Sequence, residues 1–417
     1  MEIGRIYKRT IGLDVHQAQV TACALIEDED GQIHIEHRQF KTFKRDRKAM
    51  AAWIASLKPD KVVMESTSVY WKSPYAALEA VGIQATVVNA RHVKKLPGRK
   101  TDISDAEWLA SLARANLVSA SFVPPEVLRG LRIIARERQN IVSMLSAEKN
   151  RMHKVLTDGG IRLGVVVSDI HGKSARLMIK ALIEQKPSEI VLQFASKRLK
   201  ATKEQLLDAL EGELTAPHLF TLKQLMQNVE YFEAQIKQFD AHLLSELCKD
   251  ASAAQALRLL QTLPGVDIQG AAMLLVEVGF DMSVFGSAER LSSWVGVCPG
   301  NHESAGKRQS GRTRKGNPYV RRLLCEFAHA AARTKSCSLS EKFKSMVVRR
   351  GFKRSIVALA HKMLRIIFCM LKGGEYYRDS ATDYEALSVK RNASRWIKTL
   401  VKHGWIKPLD EADTQPA

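Results

Sequence analysis

Four carboxylates in the first quarter of the chain have the types and spacing for metal-assisted phosphoryl chemistry. Asp14 lies in Arg9-Thr-Ile-Gly-Leu-Asp-Val-His16, and Glu65 ends Lys61-Val-Val-Met-Glu65. Asp102 and Asp105 lie in Lys100-Thr-Asp-Ile-Ser-Asp-Ala106. Each stands where apolar strand or helix-start sequence meets an acid. Acids in such places are costly unless positive charge sits among them. A pair of divalent cations supplies that charge, and paired metals on a basic protein point to phosphodiester chemistry. All-carboxylate ligation suits two Mg2+ ions, with Mn2+ as the alternative. Taken singly, Asp14 and Glu65 read as cap or turn acids, and Asp102 as a first-turn acid favoured by the helix dipole. The order and spacing of the four together carry the functional reading.

The elements that must position these acids alternate between strand and helix up to about residue 125. Thr10 to Ile26 is apolar and β-branched, one strand or a pair turning near His16-Gln-Ala-Gln19. Ile33 to Phe40 alternates and predicts a further antiparallel strand. Arg45 to Leu57 and Pro74 to Val81 read as helices, and Lys61 to Glu65 and Gln84 to Asn89 as short buried strands. Thr101 reads as the N-cap of a helix from Asp102 to Ala115, which would put Asp102 and Asp105 on one face. A first-strand Asp, an acid ending a later strand and acids on a following helix make the RNase H-like arrangement. Proofreading exonucleases also use four acids but need Asp-x-Glu on the first strand. Asp14-Val15-His16 departs from that and points to the resolvase-like branch.

The 417 residues allow two or three domains, and 45% hydrophobic content allows a substantial core. A net charge of +20 favours a polyanionic partner such as nucleic acid. Cys23, Cys248, Cys298, Cys325, Cys337 and Cys369 form no CxxC pair. They read as reduced core residues of a cytoplasmic, nucleoid-associated protein, not as zinc ligands or disulfides. No signal-peptide stretch is expected at the N-terminus. Ile356 to Leu371 is too short and too charged to span a bilayer.

Pro124-Pro125 marks a boundary. Beyond it Val127, Leu131, Ile134, Ile141, Leu145, Met152 and Val155 follow an approximate 3.5-residue repeat. Leu222, Leu225, Val229, Phe232, Ile236, Phe239 and Leu243 form a clean heptad seam. The two stretches could pack on each other as an antiparallel hairpin or pair with another subunit; the second is slightly favoured. Residues 157 to 200 are mixed. Leu259 to Val266 followed by Ala271 to Val278 resembles a helix-hairpin-helix, whose turn amides hold a phosphate, but Asp267 would repel one. The expected divisions are 1–125, 126–250, 251–375 and a tail over 376–417.

Residues 301 to 350 hold thirteen Lys and Arg against three Asp and Glu, half of the whole-chain excess. Gly300 to Pro318 alternates glycine, serine and basic residues and predicts a mobile loop around a phosphate backbone. Lys307, Arg308, Arg312, Arg314 and Lys315 lie in it, and Arg321 and Arg322 begin the following helix. A second basic run holds Lys94, Lys95, Arg99 and Lys100. Ser304 and Ser310 are candidate nucleophiles that would need activation from the acidic site. Their chemistry alone does not choose between them.

Gly12-Leu-Asp-Val-His, Met64-Glu-Ser-Thr-Ser-Val-Tyr70, Lys100 to Ala106, Leu263-Pro-Gly-Val266 and Gly296 to Ala305 occur in one order. From about residue 9 to about 375 the chain resembles the DEDD-type transposases of the one-ten family of insertion sequences, related to the Piv DNA invertases. The resemblance implies a RuvC-like α/β N-terminal domain, a helical coiled-coil middle and a mainly α C-terminal transposase domain. It implies metal binding by Asp14, Glu65, Asp102 and Asp105, and a nucleophilic serine after a glutamate, which matches Ser304. It also implies a structured bridge RNA pairing with donor and target DNA, and a tetramer with composite sites. Two other functions remain open at this point. One is a junction nuclease using water as its nucleophile; the other is a non-catalytic nucleic-acid scaffold.

Overall fold

The computed structural model describes residues 6–66, 68–93, 104–196, 199–300, 302–304, 306–379, 384–403 and 405. They fall into two compact units, Met1–Val123 and Pro124–Ala417.

The first unit is built on a five-stranded mixed sheet in the order β3-β2-β1-β4-β5. β1 (Arg9–Val15), β2 (Gln19–Glu27) and β3 (Ile33–Lys41) are antiparallel neighbours. β4 (Lys61–Glu65) and β5 (Thr86–Val88) extend the sheet in parallel with β1. The sequence dictates which strands lie inside. β1 and β4 are buried on both faces along most of their length, as central strands covered by helices must be. β3 is exposed along most of its length and carries His, Glu and Arg, which protect an edge from further pairing.

One face packs on α1 (Lys44–Ser56) and α2 (Lys72–Glu79), where Ile11, Leu13, Val15, Ala22, Val62 and Met64 meet Met50, Trp53, Ile54 and Leu78. At ~1.5–3 kcal/mol for each large apolar side chain removed from water, this face is the main stabiliser of the unit. The short α3 (Ala90–Val93) follows β5. The other sheet face is covered by α4 (Asp105–Arg114), through Val63 and Val88 against Trp108, Leu109 and Leu112, and Cys23 and Leu25 against Ala106 and Ala110.

The second unit is helical apart from one small hairpin. α5 (Glu126–Asp158) and α10 (Ala216–Leu247) run antiparallel against each other. Arg138 pairs with Asp240 at one end, and Asp158 with His218 at the other. The seam on α10 therefore packs within the chain, correcting the preference for a partner subunit. Leu222, Leu225, Val229 and Leu243 are fully buried, while Phe232, Ile236 and Phe239 are half-buried. The seam on α5 is also displaced at its start: Val127 is 72% exposed, and Leu128 takes the inward position. A repeat read as 3.5 fixes a stripe only to within one residue at a helix end, where neighbours run out.

Residues that resisted placement from sequence form α6 (Leu163–Val166), α7 (Lys173–Ile183) and α8 (Ser188–Leu192), followed by α9 (Lys203–Leu210). Their apolar faces share a core with α5 and α10 through Met152, Leu156, Leu163, Met178, Ile179, Val191 and Leu210. Glu233 of α10 accepts from Arg176 of α7 at 2.6 Å and pairs with Lys149 of α5 at 3.1 Å. The Arg176 guanidinium holds its carboxyl down at about 2, against the opposing effect of burial. The folded value lies below the ordinary one. This stabilisation is therefore present above about pH 4.5 and is lost as pH falls toward about 2. Glu233→Gln should flatten the acid limb of the urea midpoint in that window, by on the order of 2 kcal/mol after allowance for partial exposure. An unchanged acid limb would show that the pair contributes nothing.

The chain continues through α11 (Ala251–Gln261), α12 (Ile268–Val278) and α13 (Ala288–Val295), then the hairpin β6 (His302–Ser304) and β7 (Lys307–Ser310). It ends in α14 (Pro318–Ala331), α15 (Ser338–Arg350), α16 (Phe352–Gly373) and α17 (Tyr384–Lys402). α16 buries Ile356, Leu359, Met363, Leu364 and Ile367 against neighbouring helices. Among the described residues no helix is long and apolar enough to cross a membrane.

All six cysteines are free, but only Cys23 and Cys337 are buried. Cys248 and Cys369 are exposed, which corrects their reading as core residues. Cys248 follows the last residue of α10, and Cys369 falls on the outer face of α16, so neither is enclosed.

Candidate active site

Asp14 is the penultimate residue of β1, and Glu65 the last of β4. The parallel register Leu13↔Met64 places them side by side at the C-terminal ends of adjacent strands. Strand alternation puts Asp14 on the same face as Gly12, and Glu65 on the same face as Val63, which packs under α4. Both acids therefore belong to the face that α4 covers.

Gly12 decides how closely α4 approaches. A Cβ there would lie 2.0 Å from the Ala106 carbonyl oxygen and 2.5 Å from the Ala110 amide nitrogen. Only glycine lets the helix backbone rest on the strand. Two residues earlier the buried Thr10 hydroxyl donates to the Ala110 carbonyl at 3.1 Å. From Thr10 at Ala110 to Gly12 at Ala106, β1 runs toward the start of α4. Asp14 thus lies at the end of the sheet where the helix begins with Asp105.

The helix starts later than the sequence suggested. Ser104 is extended and caps it, its hydroxyl accepting from the Glu107 amide at 3.2 Å. The Ser104 cap sets the first helical residue at Asp105. Asp102 itself lies outside the described residues, as do Thr101, Lys94, Lys95, Arg99 and Lys100.

Asp14 accepts a hydrogen bond from the exposed His16 ring at 3.0 Å, a partner that sequence reasoning passed over. Glu65 is half-buried and Asp105 exposed. Among the described residues the side-chain oxygens of Asp14, Glu65 and Asp105 do not gather within 4.8 Å as a set of three. They share a face and one end of the sheet.

Ser304 belongs to the second unit. The segment expected to be a mobile loop is a β-hairpin in which Ser304 pairs with Lys307, Glu303 with Arg308 and His302 with Ser310. Gly306, at φ +71°, supplies the left-handed residue that a two-residue turn requires. Glycine and serine composition hid a strand pair that the turn geometry forms. The arm continues into a Pro299–Thr313 bridge, and the Gly300 amide donates to the Arg312 carbonyl at 2.9 Å. Its base is closed by a second tight seat, where a Cβ on Gly316 would lie 2.3 Å from the Val295 carbonyl. Arg312, Arg314 and Lys315 follow in the non-strand segment after β7.

Asn317 then caps α14, accepting from the Tyr319 amide at 2.9 Å. Its side-chain amide donates to Glu277 of α12 at 2.8 Å. Glu277 is 2% exposed and accepts both arms of Arg136, at 2.8 and 3.0 Å. Arg132 donates to the Val276 carbonyl at 3.1 Å and to the Glu277 carbonyl. Burial raises the Glu277 carboxyl, but Arg136, Arg132 and Asn317 outweigh it and hold the group below the usual carboxylate range. Burial lowers Arg132 to about 10. This network fixes the start of α14, and with it Arg321 and Arg322 near its N-terminal end. Arg322 also pairs with Glu326.

The helix-hairpin-helix turn has a different use from the one expected. Asp267 caps α12, its carboxylate accepting from the Gly270 amide at 2.8 Å. A donor that a phosphate would need is already satisfied by the chain.

Two family models match the chain. Residues 11–160 match one described as a transposase of the DEDD IS110 type. Residues 257–344 match one described as the transposase IS116/IS110/IS902 family. The chain is 26% identical to the transposase for insertion sequence element IS1111A of Coxiella burnetii, over 89% of this chain and 92% of that protein. It is 24% identical to a probable family 20 transposase of Pseudomonas aeruginosa, over 77% and 87%. A putative transposase of Sinorhizobium fredii is 31% identical over 42% of this chain and 46% of that one. A mixed α/β unit with acids at its strand ends, followed by a basic helical unit, is here a DNA transposase. The chain belongs to the IS110 family of transposases.

Proposed function

We propose that this transposase is a site-specific recombinase that cuts and rejoins DNA through Ser304, assisted by divalent metal at Asp14, Glu65, Asp102 and Asp105. One observation carries the reading. Asp14 and Glu65 end adjacent parallel strands beneath a helix that begins with Asp105. The donor set is entirely carboxylate oxygen, which fits Mg2+ or Mn2+ better than softer ions. When bound, such ions polarise a phosphoryl oxygen and favour the ionised form of an attacking hydroxyl.

The chain's own residues do the rest. Arg312, Arg314, Lys315 and Arg321 bind backbone phosphates, and Lys307 and Arg308 flank the serine across the hairpin. The Ser304 oxygen attacks phosphorus, and its proton passes to a carboxylate of the acidic set. The bond to the departing sugar oxygen breaks, and that oxygen takes the proton back from the carboxylate and leaves as a hydroxyl. The phosphoserine ester keeps the energy of the broken bond. Attack by a hydroxyl of the second DNA strand then reseals DNA and returns the serine. The family resemblance extends this reading to a bridge RNA and a tetramer, and the +20 charge supports an assembly rich in nucleic acid.

Wild-type protein with element-end DNA and Mg2+ should give a covalent protein–DNA adduct on denaturing gels, with the phosphate mapped to Ser304. Ser304→Ala should bind DNA equally well and give no adduct. Free DNA ends without any adduct in the wild type would favour a water-using nuclease, and an adduct persisting in Ser304→Ala would refute the serine assignment.

A further inference from the structure

We propose that Cys23, His37 and Glu107 form a second metal site, for a single zinc-type divalent cation, separate from the all-oxygen acidic set. The sheet register creates it. Cys23 of β2 stands directly opposite His37 of β3, so their side chains share a face. Glu107 enters from the first turn of α4, whose start is fixed by the Ser104 cap.

The distances match coordination. Cys23 Sγ lies 3.8 Å from His37 Nε2, and His37 Nε2 lies 3.4 Å from Glu107 Oε2. All three atoms are within 4.8 Å of one another. A tetrahedral ion with bonds of about 2.3 Å to sulfur and about 2.0 Å to nitrogen and oxygen places such pairs about 3.6 and about 3.3 Å apart. The sulfur–nitrogen and nitrogen–oxygen separations are thus within about 0.3 Å of what a bound ion needs, and side-chain adjustment can bring the third pair into range.

One sulfur, one nitrogen and one oxygen make a donor set suited to zinc and poorly suited to magnesium. Cys23 is buried beside Leu25, Ala106 and Ala110, so the sulfur faces the site from a dry side. The side chains of His37 and Glu107 are 45% and 24% exposed, which leaves the outer side open for a water as fourth ligand. On binding, the Cys23 thiol releases its proton to solvent and the thiolate bonds to the ion. The ion would clip β2, β3 and the first turn of α4 together, two residues from Asp105. Its role is to position, and the site stands whether or not the recombinase reading holds.

Co2+ added to chelator-stripped full-length protein tests this directly. The expected result is one thiolate-to-cobalt charge-transfer band, saturating at one equivalent and displaced by Zn2+. The band should be lost in Cys23→Ala and in His37→Gln, and retained in Asp14→Asn. His37 lies on the exposed edge strand, so His37→Gln should fold even if Cys23→Ala does not, as circular dichroism will show. Zn2+ should also raise the Tm of the wild type and leave that of His37→Gln unmoved. Absence of the band in the wild type, or its survival in either site variant, overturns the proposal and leaves a buried thiol beside a His–Glu ion pair.

Discussion

Asp14→Asn and Glu65→Gln should each lower DNA cleavage by at least about a thousandfold, a barrier increase of roughly 4 kcal/mol. Both substitutions keep the size of the side chain and its ability to accept a hydrogen bond. What they remove is charge, the property a divalent cation needs from an oxygen ligand. DNA binding should hold or tighten slightly, because each change removes one negative charge near the phosphates. The alternative role for Asp14 is to hold His16, whose ring it accepts from at 3.0 Å. His16→Ala separates the two. If His16 only orients Asp14, its loss should cost about tenfold to a hundredfold, as removal of a ligand's supporting partner does. Single-turnover cleavage of end-labelled DNA measures all three variants. A His16→Ala defect as deep as that of Asp14→Asn would transfer the essential role to the histidine.

Glu277→Gln should destabilise the second unit by about 3–5 kcal/mol, the usual result of breaking a buried ion pair from one side. The carboxylate is almost wholly buried and answers two guanidinium groups and the Asn317 amide. A glutamine keeps one acceptor but leaves Arg132 and Arg136 without a counter-charge. Denaturant unfolding with a fluorescence readout checks the magnitude, and a loss below about 1 kcal/mol would show that water already compensates the arginines. The pH sign follows from the depressed carboxyl. Its contribution is complete above the ordinary glutamate range and disappears as pH falls through the lowered value. Because Asn317 caps α14 at the base of the serine-bearing hairpin, the same variant should also slow adduct formation at temperatures where it remains folded.

Much of the first unit is legible in the sequence because central strands must be apolar on both faces, and acids interrupting such runs stand out. Asp14 and Glu65 can therefore be placed at strand ends from their neighbours in the chain. The start of α4 is not legible in the same way. Thr101 and Ser104 are both good cap residues by type, and residue types alone do not choose Ser104, which caps the helix. The hairpin carrying Ser304 is hidden by composition, since glycine, serine and arginine favour neither strand nor helix; pairing there depends on the turn at Gly306. Glu277 does leave a signal: it is a lone acid in Met273-Leu-Leu-Val-Glu-Val278, and an acid in such a run needs a buried cation. Cys23 and His37 leave none. Their meeting depends on strand register, which spacing rules such as CxxC do not encode.

The seat of α4 on Gly12 has a consequence for when this enzyme can act. Nothing local in the chain brings β1 and α4 together; only the packed unit does, through a backbone approach that tolerates no Cβ. A chain without that packing has nothing to hold Asp14 and Asp105 at one end of the sheet. Under the metal-assisted chemistry proposed above, folding itself would then act as a safety catch on DNA cutting.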